Sequence, residues 1–261
     1  MKILFLCAAG FLAAFVDSIA GGGGLISLPS FLIAGLNPYF ALGTNKFAST
    51  TASFTSSIKF ASSGKINKRL MTFLAPFTLL GAALGVKTVL RINKKFLSFL
   101  VLIMILSVSM YSLFSKNIGK KNNFEGLTKI NVPLGMLLAF ILGFYDGFFG
   151  PGTGSFLIFG MMYIFKFDFV NAAGNSKFLN FISNITSLLM FALNKRIFLL
   201  YGIPAAIFMI IGAKAGTELA INKASLLLPP IFLFLSICVS ILLVFHLYSM
   251  LSPPSLLLFH S

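Results

Sequence analysis

Three stretches of the chain, residues 71–86, 96–114 and 225–248, contain no Asp, Glu, Lys or Arg. Each approaches or exceeds the roughly 20 apolar residues that a helix needs to cross hydrocarbon. Runs of this length have no polar face to offer to water. The composition agrees: 58% of the 261 residues are hydrophobic and 10% are charged, whereas an ordinary soluble domain carries roughly 25% charged residues. A soluble fold is excluded. The predicted fold class is all-α, a polytopic integral membrane protein with about eight transmembrane helices, short connections and no separate water-soluble module.

The formal charge of +15, from 20 Lys and Arg against five acids, would suggest a nucleic-acid partner in a soluble protein. Here most cations fall in short clusters at span ends: Lys65, Lys68 and Arg69; Arg91, Lys94 and Lys95; Lys116, Lys120 and Lys121; Lys195 and Arg196. That placement answers to anionic headgroups and topology determination. The partner it indicates is the lipid bilayer, and no basic patch with interleaved aromatics indicates nucleic acid. Homo-oligomerisation is left open.

Cys7 and Cys238 lie in apolar runs without metal-ligand spacing, and His246 and His260 have no acid or second ligand nearby in the sequence, so no metal site is expected. There is no Ser/His/Asp set and no phosphate loop, so neither an enzyme nor a cofactor is expected. The sequon Asn184-Ile185-Thr186 sits inside an apolar segment, where it would be inert. Asp17 and the four glycines after it argue that the apolar N-terminus is a retained first helix rather than a cleaved signal.

The chain is duplicated. Phe144, Asp146, Gly150 and Gly152 fall 129 residues after Phe15, Asp17, Gly21 and Gly23. From there the offset becomes 131 and holds. Gly43-Thr44-Asn45-Lys46 pairs with Gly174-Asn175-Ser176-Lys177, Phe54-Thr55-Ser56 with Ile185-Thr186-Ser187, Gly81-Ala82 with Gly212-Ala213, and Gly85 with Gly216. One two-residue insertion explains the register. The expected organisation is a first repeat over 1–115, a polar linker over 116–130, a second repeat over 131–250 and a tail over 251–261. In the first repeat the segments expected are 3–20, 25–35, 42–61, 70–90 and 96–114. Residues 25–35 and 155–165 are too short to span alone, and are expected to be half-helices that either finish a broken span or form a re-entrant loop. Four crossings per half would make the halves parallel; a re-entrant opening segment would leave three and make them inverted.

Glycine and proline at 21–24 and 150–154 would stop a helix inside the membrane and leave backbone groups without intrahelical partners. Such groups are tolerated where protein or a wet cavity satisfies them, and the half-helix that follows turns its positive N-terminal end toward that cavity, a ready anion site. Close packing through small residues is the structural alternative. A second signal follows each break. Lys46, Ser49, Ser53 and Ser56 lie along one helical face, and Lys177, Asn180, Asn184 and Ser187 repeat the intervals. Both halves thus present a polar stripe headed by an ammonium group, which in hydrocarbon must face the interior or snorkel to headgroups. Asp17 and Asp146 occupy equivalent places and fit two roles: a proton-coupling group, or a capping and pairing group that fixes the break.

The segments Ala20-Gly-Gly-Gly-Gly-Leu-Ile-Ser-Leu-Pro29, Gly35-Leu-Asn-Pro38, Ala41-Leu-Gly-Thr-Asn-Lys46 and Gly143-Phe-Tyr-Asp-Gly-Phe-Phe-Gly-Pro-Gly-Thr-Gly-Ser-Phe156 resemble the TauE/SafE sulfite exporter family, in its YfcA-like branch. The resemblance covers nearly the whole chain. It implies an inner-membrane transporter of about eight spans, in a family whose members are associated with sulfite, sulfoacetate and other sulfur-containing or organic anions. One departure stands out: the second break reads Pro-Gly-Thr-Gly where the first has four glycines, and no proline in the second half matches Pro29.

The expected function is a secondary carrier of a small anion held between the halves. The expected substrate-binding residues are Gly22, Gly23, Gly24, Asn45, Lys46, Ser49, Gly152, Thr153, Gly154, Ser176, Lys177, Asn180 and Asn184. A passive anion channel would use the same residues, and a structural membrane subunit would need none of them.

Overall fold

The computed structural model describes residues 1–93, 96–97 and 122–222. Among them it contains eight helices and no strand: α1 (Lys2–Ala20), α2 (Gly24–Ile33), α3 (Pro38–Ser62), α4 (Lys68–Val89), α5 (Asn131–Phe148), α6 (Thr153–Phe165), α7 (Phe169–Leu193) and α8 (Leu199–Asn222). The expected span over 225–248, almost all of that over 96–114, residues 116–121 of the linker, the tail, Cys238, His246 and His260 lie outside the described residues. The chain is an all-α polytopic membrane protein, and α1, α4, α5, α7 and α8 are each long and apolar enough to cross a bilayer.

Local chemistry sets the boundaries. The Asn37 side chain accepts from the Phe40 N–H at 3.3 Å and Pro38 takes the first helical position, so α3 begins at Pro38 rather than near residue 42. Asp168, the equivalent residue, caps α7 by accepting from the Asn171 N–H at 2.8 Å. Both helices then run 25 residues. α3 carries too many polar residues to read as a span by hydropathy, yet its stripe is enclosed by protein: Lys46, Thr50, Ser53, Ser56 and Ser57 are all buried.

The opening helix of each half folds back on itself. α2 returns along α1 until Gly35 comes beside the Lys2 ammonium, and α6 returns along α5 until the Phe165 ring packs on Gly135. Each opening segment is thus a re-entrant helical hairpin. The equivalent helices α3 and α7 pack antiparallel, with Gly43 near the start of α3 against Arg196 beyond the end of α7, and Gly174 near the start of α7 against Lys65 beyond the end of α3. Antiparallel packing of equivalent helices requires a pseudo-twofold axis across the bundle, so the halves are inverted rather than parallel.

The remaining helices cross over between halves. α4 lies parallel to α5, with Gly81 and Gly85 on the α5 backbone and Gly143 and Gly147 on the α4 backbone; α8 lies parallel to α1 through Gly212 and Gly216. Small residues let these backbones approach closely, which supplies packing energy where lipid removes the hydrophobic drive between helices. The outer faces are apolar: Phe73, Phe77, Leu80 and Leu84 on α4 and Leu200, Ile203, Ile207 and Ile211 on α8 are exposed. This arrangement, polar inside and apolar outside, suits a hydrocarbon surround.

Candidate functional site

The two hairpins meet tip to tip. Gly21 and Gly22 (φ 77° and 84°) and Gly150 and Gly152 (φ 103° and 86°) adopt left-handed conformations that glycine takes without strain. A side chain at Gly21 would strike the backbone of Gly154 and Ser155, and one at Gly24 would press on Pro151. The Ser155 hydroxyl donates across the junction to the Ala20 carbonyl at 3.0 Å. The glycines therefore serve both roles foreseen for them, breaking the helices and packing the halves. α2 and α6 both start at this junction, so their positive N-terminal ends converge in the middle of the bundle.

Both acids sit at the same level, in the last turns of α1 and α5, the unfavourable end of their own helix dipoles. Each is held by a lysine from the opposite half. Lys46 Nζ lies 2.9 Å from an Asp146 carboxylate oxygen, and Lys177 Nζ lies 2.5 Å from Asp17 Oδ2. The pairs are crossed, and their four charges sum to zero. With Lys46 at 2% and Lys177 at 1% exposure, neither ammonium reaches headgroups. A charge buried there without its partner would cost several kcal/mol.

The remaining lone pairs and donors interlock. Asp17 Oδ1 accepts the Gly23 N–H at 3.0 Å, so the carboxylate sits against the N-terminus of α2. Asp146 Oδ2 accepts from Ser183 Oγ and from Asn180 Nδ2 at 3.4 Å. Lys46 also donates to Asn184 Oδ1 at 3.1 Å, and Asn184 Nδ2 donates to Ser53 Oγ and Asn180 Oδ1, both at 3.3 Å. Asn184 and Ser53 are equivalent positions, so this contact lies close to the pseudo-twofold axis. Asn45 Oδ1 and Ser176 Oγ, at the equivalent positions before the two lysines, are buried without a hydrogen-bond partner. An orphaned polar atom of this kind costs about 1–3 kcal/mol.

A cavity of about 30 Å³ opens between these groups. Of the residues expected at the site, Gly23, Gly24, Asn45, Lys46, Ser49, Gly152, Asn180 and Asn184 line it together with both aspartates. Gly22, Thr153, Gly154, Ser176 and Lys177 are not among its lining residues. Gly154 is covered by Gly21, the Thr153 hydroxyl donates to the Gly150 carbonyl at 2.7 Å, and Lys177 is engaged with Asp17. Sequence reasoning placed Gly150 in the break but not among the binding residues, and it missed Ser27 and Ser183. Ser183 lies three residues after Asn180 and could have been found by asking which hydroxyls on α7 face Asp146 once α5 and α7 are packed together.

A family model described as "Sulfite exporter TauE/SafE" matches residues 6–243. The chain belongs to the TauE/SafE family. A probable membrane transporter protein of Haemophilus influenzae is 35% identical over 240 residues, covering 90% of this chain and 91% of the relative. The probable membrane transporter protein ORF9 of a Sinorhizobium species is 32% identical, covering 92% and 91%. The probable membrane transporter protein YfcA of Escherichia coli K12 is 30% identical, covering 92% and 88%. No solved structure matches the chain. As a TauE/SafE protein it is a multi-pass membrane transporter, and the hairpin junction is the part of that transporter where main-chain ends, two lysines and two acids converge.

Proposed function

We propose that the chain is a secondary carrier whose substrate is a small oxyanion, sulfite, a sulfonate or a related sulfur-containing or organic anion, bound at the junction of the two hairpins. The observation that carries this reading is the convergence of two half-helix N-termini with Lys46 and Lys177 in one buried, polar layer. An oxyanion would take the ammonium groups and the N–H groups of the α2 start, with the amides of Asn45, Asn180 and Asn184 completing its hydrogen bonds. The family description names sulfite, which favours that class. The inverted halves supply a route for alternating access: rocking one hairpin against the other would open the junction first to one side and then to the equivalent other side.

The test is a thermal-shift screen of the purified protein against sulfite, sulfate, thiosulfate and sulfonates, since a ligand bound only by the folded state raises its stability. A rise in unfolding temperature with at least one of them, lost in Lys46→Met, is the expected result. No shift with any of them, or an undiminished shift in both Lys46→Met and Lys177→Met, would refute the site.

A further inference from the structure

In the structure the positions an anion needs are held by the protein's own carboxylates. Asp17 takes the Gly23 N–H at the start of α2 together with Lys177, and Asp146 takes Lys46, Asn180 and Ser183. The cavity between these groups is lined by both carboxylates, so an anion drawn to either ammonium competes with the acid that holds it.

Charge sets the terms of that exchange. Among the described residues Lys46, Lys177 and Asp146 are the fully buried charged side chains, and Asp17 is the fourth member of their cluster. Among the described residues nothing else that lines the cavity carries charge. α2 and α8 bring Ser27 and Met209 to the cavity, the start of α6 brings Gly152, and α4 meets α5 through Thr78, Gly81, Ala82 and Gly85. Beside Asp146, the Tyr145 hydroxyl donates to the Pro151 carbonyl at 2.8 Å. The cluster is neutral before the anion arrives, and an uncompensated negative charge added there is strongly disfavoured. A carboxylate pushed off its lysine there loses the charge that balances it.

Resting on the anion site proposed above, we infer that Asp17 and Asp146 are internal competitors of the substrate, and that each negative charge bound brings one proton from water onto one of these carboxylates. The carrier is then an electroneutral proton–anion symporter whose two acids set a ceiling of two protons. Asp17 is the less firmly held of the two. Its side chain is 22% exposed and, among the described residues, has Lys177 as its one side-chain donor, whereas the Asp146 side chain is 3% exposed and held by three side chains.

The test counts protons taken up by the purified full-length protein in weak buffer with a pH indicator, with methanesulfonate and thiosulfate as probes, a monoanion and a dianion near neutral pH. Binding is followed separately by thermal shift. The expected uptake is about one proton per bound methanesulfonate and about two per bound thiosulfate. Asp17→Asn, permanently neutral at that position, lowers each count by about one. Binding without proton uptake, or a count that ignores the charge of the probe, overturns the inference and leaves the anion site standing. Failure of both probes, and of sulfite, to bind at any pH where the protein is folded overturns the anion site and this inference with it.

Discussion

The two halves present the same ion pair with different support. Around Asp146, the lysine from the opposite half is joined by Asn180 and Ser183 from its own half, and the carboxylate is almost fully enclosed. Around Asp17, the positions equivalent to Asn180 and Ser183 are Ser49 and Ala52. A shorter side chain and a methyl group stand where donors would be, and Asp17 turns instead to the Gly23 N–H and keeps part of its surface open. A duplicated plan has thus diverged into one locked acid and one looser acid, and the difference is set by two side chains on the polar helices rather than by the acids or lysines themselves.

The widest gap between the halves is expected at the breaks. Gly21→Ala drives a methyl group into the Gly154–Ser155 backbone and should cost more than about 4 kcal/mol, seen as loss of folded protein in detergent. The equivalent Gly150→Ala meets only ordinary or slightly tight neighbours, Lys46 Nζ at 3.2 Å among them, and should cost about 1–2 kcal/mol for its left-handed backbone. Equal losses would mean that the two tips do not meet as described.

The lysines come next. Lys46→Met strands Asp146 without a cation in an enclosed site, a loss of about 3–5 kcal/mol in thermal or denaturant unfolding. Lys177→Met should cost roughly half as much, because Asp17 keeps the Gly23 N–H and its open edge on the cavity. The reverse order would contradict the assignment of Asp146 as the locked acid. The smallest effects belong to the supporting donors. Ser183→Ala removes one hydrogen bond to a charged group and should cost about 1.5–3 kcal/mol, while Ala52→Ser, which offers Asp17 the hydroxyl that Asp146 already has, should change stability by less than about 1 kcal/mol.

Much of this was legible in the residues. Fixed offsets of 129 and 131 placed Asp17 opposite Asp146 and Lys46 opposite Lys177, and the cost of burying lysine pointed both ammonium groups inward. The glycine runs announced where the helices would break. The crossing of the pairs was not legible, because it follows from the inversion of the halves, and inversion depends on whether α2 completes a span or returns along α1. Ten residues of apolar helix are compatible with either course; contacts such as Gly35 with Lys2 decide it. The absence of Lys177, Ser176 and Gly154 from the cavity lining has the same origin, since periodicity places residues on a face but does not say which partner will cover them. Ser183 was passed over because the stripe on α7 was followed at intervals matched to α3, where the equivalent residue is Ala52.

The crossed pairing is most directly tested by a double-mutant cycle on unfolding temperature, joining Lys46→Met with Asp146→Asn. The account predicts that the double variant is more stable than Lys46→Met alone, because replacing the acid removes the charge that the first change left stranded. Two losses that simply add would contradict it.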